Sequence, residues 1–328
     1  MKPLYIWAGG KKKMIPKYTL NPGIPLSGYD VFVEPFFGGG AMTCHIANNN
    51  PTVKQFIMND INPEIVGIYR AIKTDVEGFL NHCDSYCVPY LAMDKEARKT
   101  FYYKVRDSYI RDYRSWTAVE ESATLYFLMK TCFNGIFQST KEAKGRFATP
   151  CGLLNHKDSV YDRANVLEWH EFLQRADIRC GDWKDCMGVE GKAFYFMDPP
   201  YRDSFADYWN GFNDDKHVEL IEACKQADAD GHIVMYCNRQ TPDTFYQTHQ
   251  GQLTISKYDV TYTAGRRATE KDADGKDVRT AKKAGEVLLH SASIQPVPVV
   301  EEPKKKPDKK PKKNKSTVVL NPEILTIG

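Results

Sequence analysis

Ala193-Phe194-Tyr195-Phe196-Met197-Asp198-Pro199-Pro200-Tyr201 runs from five apolar residues into an acid, two prolines and a phenol. The apolar stretch predicts a buried strand, which places Asp198 at a strand's carboxyl end, where open α/β sheets carry their sites. The four residues after Met197 supply what activating an unreactive planar amine requires. The lone pair of such an amine is drained into its ring, so the nitrogen attacks poorly until acceptors grip its two hydrogens. A carboxylate at Asp198 can hold one and the backbone carbonyl of Pro199 the other, while the Pro-Pro pair keeps both aimed. Tyr201 adds a flat face on which an unstacked base would lie. Taken alone, the stretch reads equally well as a strand followed by a proline-marked turn that Asp198 caps.

Its company decides. Upstream, Val31-Phe32-Val33-Glu34-Pro35-Phe36-Phe37-Gly38-Gly39-Gly40-Ala41-Met42 is a short β-rich run, then three glycines, then a helix start. Glycines at Gly38 and Gly40 let the main chain approach a nucleoside closely, with Phe36 beside them. The spacing is not that of a dinucleotide fingerprint, which leaves a smaller adenosyl ligand. Phe56-Ile57-Met58-Asn59-Asp60 predicts a second strand ending in an acid placed to bind ribose hydroxyls. Asp60 could equally be the N-cap of the helix that follows. Near the amino terminus, Trp7-Ala8-Gly9-Gly10-Lys11 offers a ring and a cation suited to a ligand carboxylate. Asp182, after Gly181, could hydrogen-bond an adenine ring or simply serve a turn.

In the order W-A-G-G-K, E-P-F-F-G-G-G, N-D-I-N and D-P-P-Y, these pieces closely resemble the DNA adenine-N6 methyltransferases of the Dam family (D12 class) of bacteria and phages. The resemblance spans most of residues 4 to 290, with weaker matches at Phe133-Asn134-Gly135, Gly181-Asp182 and Gly285-Glu286-Val287-Leu288-Leu289. It implies an α/β Rossmann-like S-adenosylmethionine-dependent methyltransferase sheet with an inserted helical DNA-recognition domain. By motif, it implies cofactor contacts at Trp7, Lys11, Asp60 and Asp198, and a catalytic corner of Asp198, Pro199 and Tyr201. Phe36, Gly38, Gly40 and Asp182 complete the expected cofactor set. The expected activity is site-specific methyl transfer from S-adenosyl-L-methionine to N6 of a flipped adenine in double-stranded DNA. No metal is expected.

The resemblance also assigns recognition to the loop after Phe-Asn-Gly, and so DNA contacts to Asn134, Gln138, Arg146 and Pro150. Here the chain departs from the family's GATC readers, which usually place an arginine where Gln138 stands. Arginine pairs bidentately with guanine and glutamine with adenine, so a target different from or more relaxed than GATC is expected. Ile6 stands where a lysine usually precedes the Trp-Ala-Gly-Gly run, and Leu154 replaces a tyrosine. Two other classes stay open: an amino-methyltransferase acting on cytosine N4, RNA adenine or a protein glutamine, and a non-catalytic DNA-binding decoy of the same fold. Restriction partnership, phage self-protection and gene regulation would all use this machinery.

Charge needs dissection before it is tied to DNA. The 328 residues carry a net +3, yet Glu301 to Lys315 alone carry +5, so the remainder is acidic by two. Lys95 to Arg163 hold thirteen basic against eight acidic residues. That local excess, in a stretch whose apolar and aromatic residues fall at helical three- and four-residue intervals, suits phosphate contact or merely solvated helix faces. The expected division is a cofactor half over 1–72, a helical recognition insert over 73–163, a catalytic half over 164–293 and a disordered Lys/Pro-rich tail over 294–328. Thr263 to Ala284, with Arg266, Arg267, Arg279, Lys282 and Lys283, reads as a polar loop between the last strands. Nine scattered cysteines without a C-x-x-C pair suit a reducing compartment. Cys83 and Cys87 read as a helix face, and no apolar run approaches membrane-spanning length. A cytoplasmic protein, in a bacterial cell or a phage-infected host and monomeric in solution, is expected.

Overall fold

A computed structural model of the chain describes residues 1–202, 211–262, 268–271, 277–280 and 282–294. Its centre is a seven-stranded sheet of β1 (Val31–Glu34), β2 (Gln55–Asp60), β3 (Ala176–Cys180), β4 (Ala193–Met197), β5 (Ile233–Arg239), β6 (Thr254–Tyr262) and β9 (Lys282–His290). The spatial order is β3-β2-β1-β4-β5-β9-β6. Neighbours are parallel from β3 through β5, while β9 runs antiparallel to both β5 and β6. Two short strands, β7 (Ala268–Lys271) and β8 (Asp277–Thr280), pair with each other outside this sheet.

Alternation of side chains explains why the apolar runs are continuous rather than interrupted. Along β4, Phe194 and Phe196 enter one core, with Phe32, Phe56 and Met235. Ala193, Tyr195 and Met197 enter the other, with Val33, Val234 and Tyr236. Both faces of the strand are covered, so no position in it tolerates a polar side chain.

Helices α1 (Ile15–Leu20), α2 (Ala41–Asn49), α3 (Pro63–Thr74), α7 (Arg163–Leu173), α8 (Asp214–Ala229) and α9 (Phe245–His249) accompany the strands. Asn62 caps α3 by accepting from the Glu64 amide at 3.0 Å, and Asn213 caps α8 through Lys216 at 3.1 Å. Between α3 and α7 lie α4 (Val76–Ala92), α5 (Lys95–Asp112) and α6 (Ala118–Thr131). Helix α6 is buried over almost its whole length, because α3, α4 and α5 all pack against it. Cys83 and Cys87 lie on the buried face of α4. The buried Arg98 guanidinium donates to the carbonyls of Tyr90, Leu91, Leu154 and His156, fastening the end of α4 to the chain beyond α6.

The polar stretch after Tyr262 departs from the expected loop. Pairing of β6 with β9 continues out to Tyr262↔Lys282, past the end of β5 at Arg239↔Glu286. The β9 side of this paired segment, Lys282-Lys283-Ala284-Gly285, carries no apolar run, which is why it reads as a loop in sequence. Arg266, Arg267 and the tail beyond residue 294 lie outside the described residues.

Candidate active site

Strand order places the chemistry. After β1 the sheet grows toward β2 and after β4 toward β5, so β1 and β4 are the neighbours at which its direction of growth reverses. A crevice opens at the carboxyl ends of such a pair. The cleft found there has a volume of about 930 Å³, and its walls carry Trp7, Gly38, Asp60, Gln138, Asp182 and Asp198 among others. That is the upper range for small-molecule pockets, room for more than one ligand.

The glycine turn forms the floor. Gly38 and Gly40 have φ of 49° and 63°, the left-handed region that side-chain-bearing residues avoid. Close packing adds a second requirement. A Cβ on Gly38 would stand 2.5 Å from Trp7 Nε1, and one on Gly40 would enter the Phe37 ring. Trp7 thus presses on the turn from above, and its ring also approaches Phe137 of the loop after α6, with centroids 6.3 Å apart. Asp60 fixes the turn from the side, accepting from the Gly38 amide at 2.8 Å and from the Asn62 amide at 2.9 Å through different oxygens. Burial pushes its carboxyl above the ordinary range, against the pull of those amides. Asp182 accepts from the Lys184 amide at 3.0 Å and caps the turn after β3.

Two groups that brace this wall were given no role in the sequence. Asn59 donates to the carbonyls of Pro35 at 2.9 Å and Gly181 at 3.1 Å, which ties the ends of β1, β2 and β3 together. Glu34, at the end of β1, accepts from the Thr43 amide at 3.0 Å and from its hydroxyl. Burial raises its carboxyl from 4.5 to about 8. A raised carboxyl contributes stability that is full below the unfolded value and lost as pH climbs through the folded one. Glu34→Gln, which cannot titrate, is therefore expected to gain on the wild type as pH rises. Thermal melts should show the difference in Tm growing by about 5 °C between about pH 5 and about pH 8.5.

At the other end of the cleft stands Asp198. Lys11 Nζ donates to Asp198 Oδ1 at 2.6 Å, to the Tyr201 hydroxyl at 2.9 Å and to the Gly9 carbonyl at 3.2 Å, so all three of its hydrogens are spent. Both residues line the cleft, and Asp198, 19% exposed against 2% for Lys11, is the more open of the two. Cys237 Sγ also points to Oδ1, at 3.4 Å. Among the described residues nothing donates to Oδ2. Burial opposes the Lys11 charge most strongly, but Asp198, Cys237, Tyr201 and Glu286 together outweigh it and hold the ammonium above its usual range. Burial likewise pushes the Asp198 carboxyl up, with Lys11 pulling it back. The residue after Tyr201 is a fastening: Arg202 holds Asp214 at 2.7 Å through two nitrogens, and Asp243 at 3.1 Å.

The expected DNA-contact residues divide. Gln138 is exposed and lines the cleft, its loop pinned by the Ala148 amide on the Gln138 carbonyl at 2.7 Å. Asn134 adopts φ 54° and Gly135 φ 63°, and a Cβ on Gly135 would stand 2.6 Å from Ile6 Cβ. The Asn-Gly turn thus lets the amino-terminal segment pass. Pro150 is exposed and outside the cleft wall. Arg146 turns inward, with its guanidinium 3.6 Å from the Tyr113 ring centroid and 4.4 Å from that of Tyr109. Glu121 at 2.5 Å and Glu64 at 3.4 Å take its charge. Arg146→Ala is expected to lower Tm by about 6–10 °C, because it strands two half-buried acids. The salt dependence of DNA binding should be unchanged, whereas loss of a phosphate contact would reduce its slope by about one. His217 is fully buried on α8, bonded to the Tyr236 hydroxyl at 2.9 Å, and burial lowers it to about 4.

A parallel sheet with one reversed strand, a glycine turn closing β1 and an acid-Pro-Pro-Tyr corner closing β4 together define a Rossmann-like methyltransferase. The family model for the D12 class N6 adenine-specific DNA methyltransferases matches residues 7–261. The chain belongs to that family and is an adenine-specific DNA methyltransferase. It is 31% identical over 260 residues to the Type II methyltransferase M.MjaIII of Methanocaldococcus jannaschii, covering 76% of this chain and 89% of that one. It is 30% identical to the Type II methyltransferase M.CviBI of Paramecium bursaria Chlorella virus NC1A, over 67% of this chain and 77% of that one. Identity to a DNA adenine methylase of Vibrio cholerae is 25%, over 81% and 92% respectively. No helix among the described residues is long and apolar enough to cross a membrane.

Proposed function

We propose that the chain transfers a methyl group from S-adenosyl-L-methionine to N6 of an adenine swung out of double-stranded DNA, acting as a monomer at a site different from or looser than GATC. The observation that carries this reading is the divided Asp198 carboxylate. Oδ1 is held by Lys11 and Cys237, and Oδ2 is left to the cleft. The donor set fits the cofactor. Gly38 and Gly40 form a cradle that side chains would fill, and Asp60 spends one bond per oxygen, leaving lone pairs for ribose hydroxyls. Trp7, Phe36 and Asp182 would complete its walls.

When bound, the cofactor supplies an electrophilic sulfonium methyl. Asp198 Oδ2 takes one hydrogen of the adenine amine and the Pro199 carbonyl the other, which localises the nitrogen lone pair. Tyr201 stacks on the flipped base and fixes its edge toward these acceptors. Methyl transfer would form the N–C bond as the methyl–sulfur bond breaks with its electron pair left on sulfur, and the amine would give up one N–H proton to Oδ2. Lys11 keeps Asp198 ionised until then. The helical stretch of 73–163 carries the recognition surface, with Gln138 as its base-reading residue at the cleft.

Incubation with tritiated S-adenosyl-L-methionine and random-sequence duplex DNA, followed by digestion to nucleosides, tests the reading. Label in N6-methyladenine is expected. Label in N4-methylcytosine or nowhere would overturn it. Long-read mapping of modified adenines in an expressing cell should return a motif not confined to GATC.

A further inference from the structure

Glu286 sits in the middle of β9 at 2% exposure, a carboxylate where a sheet interior calls for an apolar side chain. Its bonds explain it. Tyr201 donates its phenol hydrogen to Oε1 at 2.6 Å, and Tyr18 of α1 donates to Oε2 at 2.7 Å. Strand β9 lies two places from β4 in the sheet, and Glu286 pairs across β5 with Arg239 and across β6 with Tyr258. The acid therefore reaches the catalytic corner from behind, on the side away from the cofactor turn.

A carboxylate only accepts hydrogen bonds, and this imposes a direction on everything attached to it. With its hydrogen committed to Glu286, the Tyr201 oxygen has only lone pairs to offer Lys11, and Lys11 donates to it at 2.9 Å. Lys11 then has one hydrogen for Gly9 and one for Asp198 Oδ1. The chain of bonds runs one way, from Lys11 through Tyr201 to Glu286. Its end result is an Asp198 carboxylate with one oxygen gripped and the other open.

We infer that Glu286 is a positioning residue for methyl transfer: by accepting from Tyr201 it fixes the polarity of the Lys11–Tyr201 bond, and so both the stacking ring and the free oxygen of Asp198. Glu286→Gln is nearly isosteric but keeps one acceptor for two phenols, so its amide nitrogen must donate to one of them. With that nitrogen on Tyr201, it competes with Lys11 for the Tyr201 oxygen. Lys11 would then be released from one of its three acceptors, and its hold on Oδ1 would loosen.

This inference rests on the proposed role of Asp198, and the test separates the two. Wild type, E286Q, E286D, Y201F and the E286Q/Y201F double variant are compared for kcat and for KM toward tritiated cofactor and duplex DNA, with Tm recorded for each. E286Q is expected to lose about 100-fold in kcat with both KM values within about threefold. E286D, which keeps the acceptor, should regain at least about tenfold. The double variant should fall no more than about threefold below Y201F, because Glu286 acts through Tyr201. E286Q at wild-type kcat, E286D as slow as E286Q, or losses that multiply in the double variant would each overturn the inference. Should E286Q fail to fold, the cycle is read with E286D. A kcat loss that vanishes in the Y201F background supports the inference, and one that persists undiminished overturns it. A wild type that labels no adenine in DNA fails the Asp198 reading instead.

Discussion

Asp198→Ala is expected to reduce methyl transfer by at least about 10⁴-fold while leaving affinity for cofactor and DNA within a few-fold. Asp198 Oδ2 is the acceptor left to the cleft, and its removal leaves the amine lone pair delocalised into the purine ring. Pro199 would still take one hydrogen, which activates the nitrogen only in part. The cofactor cradle at Gly38 and Asp60 lies on β1 and β2 and does not depend on this side chain. Single-turnover rates with saturating cofactor and duplex, beside equilibrium binding of each, separate the chemical step from assembly. A variant that turns over at even a hundredth of the wild-type rate would contradict the assigned role.

Lys11→Ala should cost less at high pH than at low. The ammonium is the charge that pulls the buried Asp198 carboxyl downward, while Glu286 pushes the other way. Without Lys11 the Asp198 value rises, so a larger share of the enzyme carries a protonated, non-accepting Asp198 at neutral pH. At about pH 7 the rate is expected to drop roughly 100- to 1000-fold. The acid limb of the kcat profile should move to higher pH, and part of the loss should return by about pH 9. A loss of equal size at every pH would show instead that Lys11 matters for packing or for the cofactor's carboxylate, the role its cation suggested in the sequence. Folding needs checking in parallel, since Lys11 fills a buried position.

The sheet was readable because its strands are buried on both faces. Runs such as Phe56-Ile57-Met58 and Ala193 to Met197 admit no water-facing position, so they show as unbroken apolar stretches, each closing in an acid. Strand β9 was legible from Gly285 onward, as a closing strand. Its first residues pair only with β6, past the end of β5, and Lys282-Lys283-Ala284 carries no apolar run to announce a strand.

Within the site, the glycine turn, Asp60 and Asp198 announced themselves by residue type at a strand's end. Partnerships did not. Lys11 and Asp198 are 187 positions apart, and only the adjacency of the amino-terminal segment to β4 makes them a pair. Glu286 looked like one letter of a closing strand. Arg146 was expected at the DNA from its place in the recognition loop, because a sequence displays charge and conceals direction. The rings of Tyr109 and Tyr113, which hold it inward, belong to another stretch of chain. Arg202 was hidden in the same way, since its two carboxylates arrive from α8 and from the segment before α9.

The most direct measurement is a crystal structure of the protein with a duplex and a cofactor analogue that lacks a transferable methyl group. The expected arrangement is a flipped adenine stacked on Tyr201, its amino nitrogen within about 3.2 Å of both Asp198 Oδ2 and the Pro199 carbonyl, with Lys11 still on Oδ1. An adenine that stays in the duplex, or one bound with Asp198 turned away and both its oxygens on Lys11, would contradict it.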